Sequence, residues 1–156
     1  MRAFLKSFGY AVRGIAYCVR YGRNLRIQLV VGLYVLLCTP GLALSRTEWA
    51  ALLIVLTLVP AAEMFNTAVE RTCDQISREF SVLIKFAKDA AAGAVLFCAV
   101  GAAAVGAVLF TRPGRLSGLW AYFQQNAWYA LLLAALLIPA VIFIATCRTA
   151  PTGRSK

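Results

Sequence analysis

Four long uncharged runs organise this chain, from Ile27 to Ser45, Trp49 to Ala62, Ala90 to Thr111 and Leu116 to Cys147. A helix rising about 1.5 Å per residue needs roughly 20 apolar residues to cross about 30 Å of hydrocarbon. The first and third runs are near that length and the fourth exceeds it. The second is too short alone, so it predicts a helix that continues through Glu63 and Asn66 and carries both into the membrane or to its edge. The first 26 residues follow another rhythm: Lys6, Arg13 and Arg20 recur every seven residues and share a helical face with Arg2, while Phe4, Phe8, Ile15 and Val19 take other faces. That pattern predicts a basic helix lying in the membrane interface, and it lacks the unbroken apolar centre of a secretory signal. The expected architecture is an all-α integral membrane protein. Residues 1–26 form the interfacial helix, 27–111 a three-span core, 112–147 an additional transmembrane helix and 148–156 a cytoplasmic tail.

Composition agrees with the pattern. Of 156 residues, 62% are apolar and 14% charged, and the mean hydropathy of +0.77 lies outside the soluble range. Thirteen of the sixteen Lys and Arg residues precede the first span, lie between the second and third, or follow the fourth, leaving only Arg46, Arg112 and Arg115 for the other side. By the positive-inside rule both termini are expected in the cytoplasm, in a multi-pass protein of the bacterial inner membrane. The net charge of +10 is then a signal of topology and anionic-lipid contact rather than of nucleic-acid binding, since the basic residues flank spans. The five cysteines are scattered and never spaced as CxxC, which fits small buried apolar residues better than metal ligands.

One segment breaks the apolar economy of the chain. Five of its six acidic residues, Glu63, Glu70, Asp74, Glu79 and Asp89, fall within 27 positions. On a helix continuing through Asp74, the side chains of Glu63, Asn66, Glu70 and Asp74 project within about 80° of one another. This polar stripe is graded in depth, with Glu63 about 10 Å deeper than Glu70. A carboxylate at depth can accept a proton from a substrate group, whereas one at the aqueous mouth stays ionised and can hold a divalent cation. Oxygen ligands in a chain without His suit Mg²⁺, which arrives with phosphates. Lys88 and Asp89 are expected at the start of the third span, where an ammonium and a helix N-terminus would face phosphate. Base, metal carboxylate, amide and lysine together point to phosphoryl transfer at a membrane surface. A proton or ion pathway would draw on similar residues, but the other spans carry no comparable stripe to complete one.

The segment E-M-F-N-T-A-V-E-R-T-C-D from Glu63, followed by A-K-D-A-A-A-G-A-V-L from Ala87, resembles the two signatures of the prokaryotic diacylglycerol kinase and undecaprenol kinase family. G-Y-A-V-R-G-I from Gly9 and R-N-L-R-I from Arg23 fit the same family, so the resemblance covers roughly residues 4–111. It implies a homotrimer with active sites shared between neighbouring subunits, using ATP and Mg²⁺ to phosphorylate a membrane lipid alcohol. It further implies Glu63 as general base, Asn66 as the amide that positions the reacting groups, Glu70 as a metal ligand and Lys88 as the phosphate-binding lysine. Asp74, Glu79 and Asp89 would line the nucleotide site. Two departures stand out. Gly22 and Gln28 occupy positions where the family pattern E-R-N-x-R-I-H carries a second metal-binding Glu and a His, so half of the metal site is expected to be missing. The alternative that follows is a catalytically weak or silent member that binds nucleotide or lipid. The fourth span is foreign to three-span members and is expected to pack outside the trimer core.

Overall fold

The computed structural model describes residues 2–76 and 81–147, which contain no β-strand. Six helices follow in order: α1 Arg2–Tyr21, α2 Arg23–Cys38, α3 Arg46–Ile76, α4 Val82–Phe110, α5 Arg115–Gln125 and α6 Ala127–Ala145. Four segments are long and apolar enough to cross a membrane, Arg23–Leu42, Arg46–Ile76, Val82–Phe110 and Ala127–Ala145. Few apolar side chains are fully buried, Leu25 and Leu42 foremost, while Phe97, Leu83 and Leu131 stand exposed. An outward-facing apolar surface is what lipid-facing helices require, because hydrocarbon rather than a protein core covers them.

The helix ends have local causes. A short 3-10 turn, Thr39–Leu42, with Pro40 in its first turn, ends α2, and Ala43 takes left-handed backbone angles (φ 47°) to release the chain. Ser45 then starts α3 through a capping box. Its backbone N–H and hydroxyl both donate to Glu48 Oε2 at 2.8 Å, and the Glu48 N–H reaches back to the Ser45 hydroxyl at 3.4 Å. α3 has 31 residues and hence a length of about 46 Å, well beyond the hydrocarbon thickness, so its C-terminal turns reach past the apolar layer. α3 and α4 form the main antiparallel pair, α1 meets α2 and α3, and α6 runs along α2.

The expected fourth span, 112–147, resolves into two helices. At Asn126 the backbone leaves helical geometry (φ −125°, ψ 61°) and the side-chain amide donates to the Tyr122 carbonyl at 2.9 Å, so only α6 is placed to cross. α5 folds back over the 3-10 turn. At Gly41 an added Cβ would lie 2.8 Å from Leu119 Cδ1 and 3.0 Å from its Cα, so only glycine permits this approach. α6 is tied to α2 at three levels. Tyr129 donates to the Leu37 carbonyl at 2.9 Å, and Tyr34 to the Leu133 carbonyl at 3.1 Å. Arg26 donates to the Phe143 carbonyl and to Thr146 Oγ1. Only 7% exposed, Arg26 also donates to the carbonyls of Val19 (2.6 Å) and Arg20 (3.2 Å), and its guanidinium lies 4.7 Å from the Phe143 ring centre. Its charge thus sits at the C-terminal ends of both α1 and α6, where helix dipoles favour a cation.

Candidate active site

The long α3 carries the polar stripe, and its side chains become more exposed toward the C-terminal end of the helix. Glu63 is 5% and Asn66 7% exposed, while Glu70, one turn further, is open to the surroundings and the Asp74 side chain is 54% exposed. Pro60, within the helix one turn before Glu63, removes a backbone donor there. The Asn66 amide donates to Glu70 Oε1 at 3.1 Å, which joins the deep and shallow halves of the stripe.

α2 supplies what the stripe lacks. Asn24 and Gln28, four residues apart and so on one helical face, lie within hydrogen-bonding reach of the Glu63 carboxylate. Their carboxamides give it neutral partners, and no Lys or Arg among the described residues forms an ion pair with it. The side-chain oxygens of Gln28 and Asn66 are buried and accept no hydrogen bond. Two acceptors are therefore left unspent beside two carboxylates, in a place where burial makes an unpaired polar atom costly. α1 closes this end. Cys18 is buried, and desolvation followed by the Glu63 charge pushes its thiol upward from the ordinary range, which places the C-terminal part of α1 near Glu63.

At the mouth, Lys88 Nζ donates to Asp74 Oδ1 at 2.6 Å, linking α4 to the end of α3. This revises the expected role of the helix start. α4 begins at Val82 with Ser81 as its N-cap, so Lys88 and Asp89 are the seventh and eighth helical residues and neither sits at the N-terminal dipole. The apolar Val82, Leu83 and Ile84 extend the helix toward the turn, ahead of its first charge. Lys88 faces the site by pairing across the two helices, whereas Asp89 lies on an exposed flank of α4. Glu79 lies outside the described residues.

Among the described residues no three His, Cys, Asp or Glu side chains gather as a metal site. A Mg²⁺ that arrives with phosphates needs only one or two protein carboxylates. Glu70 beside the unpartnered Asn66 oxygen offers a carboxylate and a hard neutral oxygen, and this pair fits such an ion. Gly22, before α2, adds no ligand for a local reason. Its N–H donates to the Cys18 carbonyl at 2.7 Å, and a Cβ there would lie 2.6 Å from that same oxygen. A glutamate at this position would have to open the turn between α1 and α2.

The profile of the prokaryotic diacylglycerol kinase family matches residues 9–110, from within α1 to the last residue of α4. The chain belongs to that family. It is 37% identical over 110 residues to an undecaprenol kinase of Bacillus subtilis, covering 70% of this chain and 89% of that protein. It is 38% identical over 110 residues to a diacylglycerol kinase of Synechocystis, covering 70% of this chain and 63% of that protein. No solved structure matches. Every residue of the polar stripe falls inside the matched region, as do Asn24 and Gln28, whereas α5 and α6 fall outside it. Those two carboxamides are what sequence reasoning missed as a pair; their signal is the four-residue spacing within R-N-L-R-I-Q.

Proposed function

We propose that the chain is an ATP- and Mg²⁺-dependent lipid kinase that phosphorylates diacylglycerol or undecaprenol at the cytoplasmic face of the bacterial inner membrane. The observation that carries this reading is a buried glutamate flanked by neutral carboxamides, inside the region matched to a lipid-kinase family. In this reading the lipid hydroxyl approaches Glu63 with its oxygen directed by Asn24, Gln28 and Asn66. As that oxygen bonds to the γ-phosphorus, its proton passes to Glu63 and the bond to the β–γ bridging oxygen breaks, releasing ADP. Lys88 gives up part of its pairing with Asp74 to meet the phosphates. Bound Mg²⁺, held by Glu70 and Asn66, would neutralise charge on the phosphates. Thirteen basic residues on one side support a cytoplasmic site. The family resemblance supports a homotrimer with active sites shared between neighbouring copies, and Asp74, Glu79 and Asp89 as the residues that line the nucleotide site.

A second reading, a silent member that retains nucleotide or lipid binding, is favoured by one observation: Gly22 stands in a turn without room for the second carboxylate. Transfer of labelled phosphate from ATP to diacylglycerol and to undecaprenol, with and without Mg²⁺, separates the two. Phosphorylation of either lipid upholds the kinase; nucleotide binding without transfer upholds the silent member.

A further inference from the structure

Where α6 meets the family-matched region lies a cleft that the chemistry of the site does not use. It opens between α2, α6 and the last residue of α4, has a volume of about 400 Å³, and is walled by Val31, Val35, Cys38, Phe110, Ala140 and Ile144. The volume is in the range of small-molecule sites. Its origin is the way α6 is attached. The ties between α2 and α6 are long side chains, Tyr34, Tyr129 and Arg26, reaching to backbone carbonyls on the facing helix. Such tethers fix α6 beside α2 without interlocking their apolar faces, and the space between them is left open.

The cleft is in register with the candidate site. Asn24, Val31 and Cys38 are spaced by seven residues, as are Gln28 and Val35, so the carboxamides facing Glu63 and the apolar wall occupy one stripe of α2. Val31 follows Gln28 by about 4.5 Å of helix rise, and the wall then continues about 10 Å toward the other side of the membrane. A lipid alcohol has this same layout, a hydroxyl joined to a long apolar body. Both walls belong to membrane-crossing segments, so hydrocarbon is the medium that meets the cleft.

We infer that the cleft between α2 and α6 seats a hydrocarbon chain of the lipid alcohol whose hydroxyl is presented to Glu63, which makes the fourth span a wall of the acceptor site. The inference rests on the lipid-kinase reading and adds to it the position of the acceptor's tail. The α6 wall of the cleft lies outside the family-matched region, so it is added by the C-terminal part of the chain. Here one side is fixed by protein, and the shape of that side selects among chains.

The test uses the full-length protein in phosphatidylcholine–phosphatidylglycerol vesicles. Diacylglycerol and polyprenol probes carrying a mid-chain diazirine are photolysed, and the labelled peptides are mapped. Labelling concentrated on 30–38 and 137–144, and suppressed by unlabelled dioleoylglycerol or undecaprenol, is the expected result. Labelling spread evenly over the outward face of α6, at Leu131 and Ile138, would overturn the inference. In parallel, Ala140→Phe and Val31→Phe narrow the cleft from opposite walls. Each should raise KM on the order of tenfold for a long acceptor, dioleoylglycerol or undecaprenol, while leaving a short one, dihexanoylglycerol or farnesol, within about twofold. Equal loss on both lengths, or no loss on either in both variants, counts against it. So does a disulfide between copies of Ala140→Cys, which would assign the cleft to a second chain. If the parent phosphorylates no acceptor, the kinase reading falls, and the labelling pattern still decides the cleft.

Discussion

α3 carries one buried or half-buried carboxylate toward each end of its membrane passage, and the two are built in opposite ways. Glu48 is surrounded by donors. The Ser45 N–H and hydroxyl bond one oxygen, Arg112 bonds the other at 2.9 Å, and Arg115 bonds both at 2.8 Å. It joins the start of α3 to the start of α5 and has no lone pair left for a substrate. Among the described residues the hydrogen-bond partners of Glu63 are neutral amides, and the side-chain oxygens of Gln28 beside it and of Asn66 one turn on remain unpartnered. A saturated carboxylate beside two guanidinium groups holds a structure together. On the proposed reading, a carboxylate with unspent capacity around it is kept for a substrate. Hydrogen-bond saturation therefore separates architecture from chemistry better than acidity or burial alone.

Glu63→Gln tests the comparison most severely. The substitution keeps size and hydrogen-bonding reach but removes the proton acceptor, so turnover should fall about 10²- to 10⁴-fold while ATP binding and resistance to thermal unfolding stay close to the parent. Turnover above half of the parent's would remove Glu63 from the reaction. Lys88→Ala should come next. Loss of one charge-assisted contact to phosphate predicts an increase in KM for ATP on the order of tenfold, with KM for the lipid unchanged. Its pairing with Asp74 is exposed and contributes little to stability, so a fall in melting temperature without a change in ATP affinity would make Lys88 a structural residue.

The saturated end should respond in the reverse sense. Glu48→Gln leaves Arg112 and Arg115 without their carboxylate, and the Arg115 side chain is only 10% exposed. The melting temperature in detergent should fall by several degrees, while kcat and both KM values stay within about twofold of the parent, as expected for a change far from the chemistry. A loss of turnover without loss of stability would erase the distinction between the two ends.

Much of this contrast can be read in the sequence, and the remainder is tertiary. The spans follow from run length, and the continuation of α3 through Glu63 follows because Trp49–Ala62 cannot cross alone. The depth order of Glu63, Asn66 and Glu70 is helical arithmetic. The three carboxamides Gln124, Gln125 and Asn126 interrupt the last run and mark a break in the sequence, but they do not reveal that α5 folds back on Gly41. Arg26 counts as a topology charge in the sequence, yet its partner Phe143 is 117 residues away and only folding unites them. Asn24 and Gln28 acquire meaning when α2 meets α3. The charged pair Lys88-Asp89 draws attention away from Ser81, where the helix begins.

The smallest expected effect concerns how closely α1 covers the unsaturated end. Cys18 is 8% exposed, and its thiol is raised above the usual value first by burial and second by the charge of Glu63. Only the thiolate reacts with maleimides, so a raised thiol is mostly protonated at neutral pH and should label more slowly than an exposed cysteine, its rate climbing as pH rises. Glu63→Gln removes the second cause and leaves the first. Labelling of Cys18, followed with a membrane-permeant maleimide and peptide mapping, should therefore quicken modestly in that variant, with its pH profile displaced toward lower pH. Glu48→Gln should leave the profile in place. If neither substitution moved it, Cys18 would not sense the Glu63 charge, and α1 would lie too far from Glu63 to close the site. Movement with Glu63→Gln alone would locate the cover of the active end by a measurement that needs no catalysis.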